Sequence, residues 1–338
     1  MPGNEIVEMF GQHEGFTQEA ALKALREVIG ETSFQVEKEG GDRRIYAPHQ
    51  KWRYSWEGRY QDRPALLYIE NLELQVPEED NCDSFRQQAG GSAVRPPLIY
   101  ARGTFDKHAG YGWSILESPR EYPRLWKPDA DPRQAAAAFA DFYPEYRQAV
   151  FQPFWEKPSE LTSVSLTKDR LEKWTKKSQE NYPSQRARFE DLLQRLSDRL
   201  LRDVSDLPLS FQHAHLTGDG IWVTPVGQYM VGQNFLWNWR VDGYDITFPL
   251  WHQWLSLPTE RLSAARVAEI TDTWMEMVRT RLVEVVDARA VETMLGERFI
   301  GSLLLDIPAK IHTRSTRDVE ALEQACAVEA ERWLKGRN

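Results

Sequence analysis

Apolar residues recur at Ala21, Leu22, Leu25 and Ile29, the spacing of a single helical face, which predicts an amphipathic helix over 17–29. From about 33 to 70 the pattern changes to short β-type runs at 34–36, 44–47, 52–56 and 64–69, separated by Gly40-Gly41, Pro48-His49 and Glu57-Gly58. That texture predicts an antiparallel meander. An acidic, helix-prone stretch at 78–88 follows. Beyond Gly90-Gly91 and Pro96-Pro97 come two further strand-like runs at 98–102 and 112–116. The opening part of the chain therefore reads as a small sheet with one helix inserted before its last two strands.

After a proline-rich stretch at 118–132 the period becomes helical. Asp131-Pro132 supplies an N-cap and a first-turn proline for a helix to about Val150. Thr167 is positioned to cap a longer helix carrying Leu171 and Trp174, and Pro183 predicts a split in that segment. Phe189, Leu192, Leu193, Leu196 and Leu200 then form a buried stripe. Short strand-like runs occur at 209–212, 220–223 and 228–232, and the remainder from 263 to 335 is again helical.

The composition supports a folded chain. Of 338 residues, 41% are hydrophobic, and 13 are Trp, more burial material than a disordered chain carries. The formal charge of −9 works against association with a phosphate backbone or an anionic membrane, so neither nucleic acid nor membrane is an expected partner. Cys82 and Cys326 are the two cysteines; they form no disulfide framework or metal knuckle and favour a reducing, cytoplasmic setting. Glu5 and Glu8 near the start are unlike a secretory signal. The longest apolar stretches, 135–140 and 299–305, fall far short of the roughly 18 residues a membrane helix needs.

Local catalytic signatures such as a nucleophile elbow, a Walker loop, HExxH and CxxC are absent from the sequence. Gly110-Tyr111-Gly112 lacks a third glycine and reads as a turn before a strand. The informative segment is Leu209-Ser-Phe-Gln-His213-Ala-His215-Leu-Thr-Gly-Asp219-Gly220-Ile-Trp222, followed by Gln233-Asn-Phe235 and by Val241-Asp-Gly-Tyr244-Asp245. It resembles the catalytic region of the aminoglycoside phosphotransferase family, a branch of the protein-kinase-like fold. There a loop of the type H-G-D-L-H-P-G-N-I precedes a hairpin ending in I-D-F/W and a G-D-P-x-Y-D-L segment. On that resemblance His213 matches the loop histidine, and Asp245 matches the aspartate that braces the loop. His215 stands where the family has its catalytic aspartate, Gly220 where it has the metal-binding asparagine, and Gln233 where it has the metal-binding aspartate.

The resemblance extends over about 17–290. Ala65-Leu-Leu-Tyr68-Ile-Glu70 resembles the strand that carries the family's phosphate-binding lysine, with Tyr68 in the lysine's place; Glu70, Glu78 or Glu79 takes the place of the glutamate paired with it. Without a lysine that pair is not expected to form. The run ending at Glu117 looks like the strand leading into the hinge. The resemblance implies an α+β, bilobal kinase-like fold, with an antiparallel-sheet lobe over 1–117 and a mainly helical lobe over 118–338. It also implies a small-molecule, nucleotide or protein ligand in the cleft between the lobes.

Phosphoryl transfer relies on positioning and on neutralising charge, through Mg²⁺, a lysine and a carboxylate at the attacking hydroxyl. A neutral Gln233, a Gly220 without a side chain and a nitrogen base at His215 are poor replacements. The expectation is a binding or regulatory pseudokinase, with no metal site and no cofactor; Tyr68, Glu117, Gly220 and Gln233 are its ligand-binding positions. The alternative is an active small-molecule phosphotransferase using ATP and Mg²⁺, with Asp219 as replacement ligand and His215 as base. His213 and His215, two apart on an extended strand, project to one face and are either repurposed groups or structural loop histidines. Trp222, Trp237 and Trp239 read as packing or as a stacking surface. The acidic residues Glu57, Glu70, Glu73, Glu78, Glu79, Asp80 and Asp83 read as a solvated face.

Overall fold

The computed structural model describes residues 18–38, 42–46, 51–71, 78–105, 111–127, 129–312 and 315–336. Gly40-Gly41, Pro48-His49, Glu73 and Gly110, given roles in the sequence reading, lie outside them, as does the N-terminal segment. The chain divides into two compact units, one running to Pro123 and including Trp222–Phe235, the other made of Arg124–Ile221 and Leu236–Asn338. A boundary after Glu117 did not anticipate that Trp222–Phe235 groups with the first unit.

The first unit begins with helix α1 (Gln18–Glu31), followed by strands β1 (Phe34–Val36), β2 (Asp42–Tyr46), β3 (Lys51–Tyr60) and β4 (Arg63–Asn71). Helix α2 (Glu78–Gln88), the short β5 (Val94–Arg95), β6 (Ile99–Thr104) and β7 (Tyr111–Glu117) complete the run. The main sheet has the order β1-β3-β4-β7-β6, with β2 on β3, and its pairings are antiparallel. Ala65, Leu67 and Ile69 alternate into the core with Tyr54, Trp56 and Ile115, and α1 covers them with Ala21, Ala24, Leu25 and Val28.

The break expected at Glu57-Gly58 does not occur, because β3 continues through both residues. The turn lies at Gln61-Asp62, where φ is 51° and 63°, the positive pair that suits a tight hairpin. Gly58 serves a different purpose. A Cβ there would sit 2.1 Å from the carbonyl oxygen of Gln35 on β1, so glycine lets the edge strand approach. A two-residue turn at 61–62 places Arg53 opposite Glu70.

The second unit contains α3 (Pro132–Ala149), α4 (Ser163–Asn181), α5 (Pro183–Arg188), α6 (Glu190–Asp203) and β8 (Leu209–Gln212). Between β8 and the next strand of this unit the chain passes through the hairpin strands β9 (Ile221–Val223) and β10 (Tyr229–Val231), of which β10 belongs to the first unit and pairs in parallel with that unit's β5. Next come β11 (Asn238–Val241), α7 (Tyr244–Leu255), α8 (Ala264–Arg281), α9 (Ala288–Gly301) and α10 (Thr316–Leu334). Asp131 caps α3 as the sequence predicts. The cap of α4 is Thr162, which makes a capping box with Ser165, while Thr167 is buried inside the helix. Two side chains three apart satisfy two of the helix's free ends at once, and this outcompetes the single cap at Thr167.

Strand β11 pairs antiparallel with β8 and frames the informative loop from both sides. Trp237 is buried, stacked at 5.7 Å on Phe211 and 6.0 Å from Tyr146; packing is its role. Among the described residues, no helix is long and apolar enough to cross a membrane.

Candidate functional site

In the first unit, Tyr68 and Glu70 share a face of β4. Arg53 of β3 reaches both, with its guanidinium 3.8 Å from the Tyr68 ring centroid and its Nε donating to Glu70 Oε2 at 2.8 Å. The same guanidinium pairs with Glu78 at the start of α2. The side chains of Arg53, Glu70 and Glu78 are 2–3% exposed. This overturns two expectations. The glutamate at the helix does find a cation, supplied by the neighbouring strand, and Glu70 and Glu78 belong to a buried network, not to a solvated face. Glu79 is buried as well, whereas Asp80 and Asp83 are exposed beside Arg102.

Glu78 also accepts from the backbone N–H of Asn234 at 2.8 Å, and Asn81 Nδ2 donates to the Asn234 carbonyl at 2.8 Å. Helix α2 therefore grips the residue next to Gln233. Gln233 itself adopts φ of 58°, a left-handed conformation uncommon for a side chain of this kind. Asn234 is buried, and its amide donates to the Val231 carbonyl. Glu117, at the end of β7, is saturated by internal partners. Its carboxylate accepts two bonds from Arg95, one from the Leu98 N–H and one from the Tyr122 hydroxyl. Burial works to raise the Glu117 carboxyl, and Arg95 with the other donors more than offsets it, holding it below the usual range.

In the second unit, Asp245 at the start of α7 is fully buried and organises the loop after β8. Its carboxylate accepts from the Ala214 N–H at 2.7 Å and from the Tyr146 hydroxyl at 2.8 Å, and its own N–H donates to Gln212 Oε1. Tyr146 in turn accepts from the His213 N–H. Asp245 thus braces the loop as the resemblance implied. Burial pushes its carboxyl up to about 6 against the pull of those donors. Asp242 is held by Arg147 and Ser210.

Ala214 has φ of 63°, so the chain is not extended between the two histidines and they do not share a face. His213 packs edge-on to Trp237 with centroids 5.2 Å apart, whereas His215 lies 4.8 Å from Phe248. The histidine that acts on His215 is His252 of α7. Burial, with a further contribution from His252, pushes His215 down to about 4. His252 Nε2 is 3.7 Å from Asp219 Oδ1, and burial lowers His252 too. Burial works to raise Asp219, but His252 and a hydrogen bond from Thr217 hold it below the usual carboxylate range. Asp219 is 39% exposed. Gly220, beside it, donates its N–H to the Thr217 carbonyl.

The predicted residues thus fall into separate groups. His215 and Asp219 meet around His252, with Gly220 next in the chain, while Tyr68 joins Arg53, and Gln233 sits on the α2 network. Among the described residues, no group of three or more His, Cys, Asp or Glu side chains is placed to hold a metal ion.

No family model matches the sequence, and no curated protein does. Solved structures do. A spectinomycin phosphotransferase in complex with AMP superposes with a TM-score of 0.53 at 9% identity, over 94% of this chain and 98% of that one. The choline kinase of Streptococcus pneumoniae gives 0.51 at 11% identity, over 93% of this chain and 98% of that one. An aminoglycoside phosphotransferase from Alicyclobacillus acidocaldarius gives 0.50 at 12% identity, over 92% and 94%. The fold is that of the kinase-like phosphotransferases.

Arg53 was missed because Gly58 was taken for the turn. Had the hairpin been centred on Gln61-Asp62, its register would have exposed the Arg53–Glu70 pairing. Asn234, followed by Phe235, was missed because Gln233 alone was matched to the hairpin's end.

Proposed function

We propose that this kinase-like protein is a binding or regulatory pseudokinase that does not run ordinary Mg²⁺-ATP phosphotransfer. The observation that carries this reading is the Arg53–Glu70–Glu78 cluster. A phosphate-anchoring strand needs a cation available to the ligand. Here the strand presents Tyr68 and Glu70, and the cation beside them, Arg53, is engaged by two carboxylates. A nucleotide's phosphates would be repelled there. The hard-cation donors do not fit Mg²⁺ either. Gln233 offers a neutral oxygen, Asn234 is buried and bonded internally, and Gly220 has no side chain. The ligand class is a small molecule, a nucleotide without its usual metal, or a protein.

A thermal-shift titration with ATP, with and without Mg²⁺ or Mn²⁺, tests this. The expected result is no metal-dependent stabilisation. A metal-dependent shift together with ATP turnover that disappears in Asp219→Ala would overturn it.

One observation favours a second reading, an active small-molecule phosphotransferase using ATP and Mg²⁺. His215, pushed down to about 4, has the proton affinity of the carboxylate it replaces and is a neutral acceptor at pH 7. Asp219 beside it stays ionised. Turnover in the experiment above would select this reading.

A further inference from the structure

Three guanidinium groups of the second unit surround the ring of Tyr244. The Cζ atoms of Arg170, Arg298 and Arg240 lie 4.4, 5.5 and 5.7 Å from its centroid. They come from α4, α9 and β11, far apart in sequence. Only the first is well matched, since Arg170 pairs with Glu297 at 2.9 Å. Arg298 is 5% exposed, and among the described residues its ion-pair partner is Asp306, 4.0 Å away, while its Nε has no hydrogen-bond partner. Arg240 donates to the Trp239 carbonyl, and among the described residues its Nε too lacks a partner. Buried cations normally have their donors met by carboxylates or carbonyls. Two of these three keep a donor free.

We propose that Arg298 and Arg240 form the anion-binding end of a ligand site in the second unit, taking a small organic anion that carries a carboxylate or phosphate. This names the ligand class for the binding role and rests on that reading for its biological meaning, though not for its chemistry. Guanidinium forks match the planar or trigonal oxygens of both anions. The aromatic surroundings supply the remainder of the site. The centroids of Phe248, Trp251 and Trp174 lie 4.8, 5.3 and 5.3 Å from Arg298 Cζ, and both tryptophans remain half-buried, so an apolar body has a surface to lie on.

A ring of aromatics alone would suit a quaternary ammonium. Here Arg298 already occupies that position, and a second cation would meet three like charges. The carboxylates that face the three arginines are Glu297, Asp306 and Asp245. Burial raises Asp306, weakening its compensation, and Asp245 is already engaged by the Ala214 N–H and the Tyr146 hydroxyl. Burial, with the charge of Arg170, pushes Arg240 down to about 10. The site also borders the loop, since Phe248 contacts His215 at 4.8 Å.

The test is a calorimetric and thermal-shift titration of the full chain at pH 7 and low salt, without nucleotide, using phenyl phosphate, benzoate, inorganic phosphate and choline. Phenyl phosphate or benzoate should bind and stabilise, and the better of the two identifies the anionic group. Inorganic phosphate should bind more weakly, and choline should not bind. Arg298→Gln and Arg240→Gln should each weaken the organic anion by at least about tenfold, the size of one charge-assisted bond. If Arg298→Gln fails to fold, Arg240→Gln decides alone, because that side chain is partly exposed. Absence of binding by both organic anions, equal stabilisation by choline, or unchanged affinity in Arg240→Gln would overturn the proposal. Repeating the titration with Mg²⁺-ATP separates the two readings: turnover would sink the pseudokinase while leaving the anion site standing, and silence toward every anion would do the reverse.

Discussion

The two units use buried charge in different ways. In the first, a strand cation, Arg53, joins the sheet to helix α2 through Glu78. In the second, a buried carboxylate, Asp245, holds a loop through the Ala214 N–H, and Asp219 farther along that loop stands outside the brace, beside His252. The contrast separates two requirements. Buried polar groups must be satisfied for the chain to fold, and evolution can relocate the partner as long as the charges meet. A side chain outside such a network, such as Asp219, is under no such constraint.

The largest expected effect tests the first half of that contrast. Arg53→Met strands two buried carboxylates and should cost about 3–5 kcal/mol, read as a lower denaturation midpoint in urea. A loss below about 1 kcal/mol, the range of exposed pairs, would mean the cluster is not a structural requirement.

Whether the cation can sit on either strand is testable by reversal. Tyr68→Lys places a second cation beside Arg53 and should destabilise the wild-type background. In Arg53→Met it should instead restore stability, because the new lysine would take over Glu78. The double-mutant cycle should show coupling of about 2–3 kcal/mol, the upper end for groups in one network. Additive effects would break the idea that the two strand positions are alternatives.

The second unit is probed through pH. His215 is depressed to about 4, so the unfolded chain binds its proton first, and stability falls as pH drops from 6.5 toward 4. Asp245 is raised to about 6. The folded chain binds that proton first, so its contribution is fully present below 3.8 and is lost as pH rises through 6. The two slopes oppose each other between pH 4 and 6, each worth on the order of 2–3 kcal/mol. His215→Asn should therefore leave a protein that loses stability as pH rises over that window, and Asp245→Asn one that gains it. Identical pH profiles for the two variants would show that neither group titrates as its burial implies.

The legible parts of the sequence were those in which a local pattern matches a local cause. Alternation at Ala65, Leu67 and Ile69 and the helical stripe at Leu192, Leu193, Leu196 and Leu200 each specify a buried face. The Y-D pair at Tyr244-Asp245 was legible because its bonds lie within one loop and one helix start. What escaped was set by register or by distance along the chain. Gly58 looked like a turn because glycine's need for a close approach is indistinguishable in sequence from its need for a positive φ. Arg170, Arg240 and Arg298 carry no spacing signal, since three separate elements deliver them to one tyrosine.

The smallest expected effect bears most directly on how the second unit changed. If Gly220 were required by packing, a glycine where the sequence resemblance aligns an asparagine would say little about chemistry. A Cβ built at Gly220 meets only the Thr217 Oγ1, at 3.1 Å, and the residue's φ is not positive. A hydroxyl on a rotatable bond can move a few tenths of an ångström. Gly220→Asn should thus cost under about 1 kcal/mol, measured by thermal unfolding. The neighbouring Gly218 is the internal control, since a Cβ there falls 2.2 Å from the buried indole of Trp126, and Gly218→Ala should unfold the protein far more readily. If the two substitutions prove equally damaging, the loop's geometry dictates its glycines, and the missing amide ceases to be a mark of altered chemistry. If only Gly218 resists, position 220 could accept an amide side chain without strain, and packing is not the reason for its glycine.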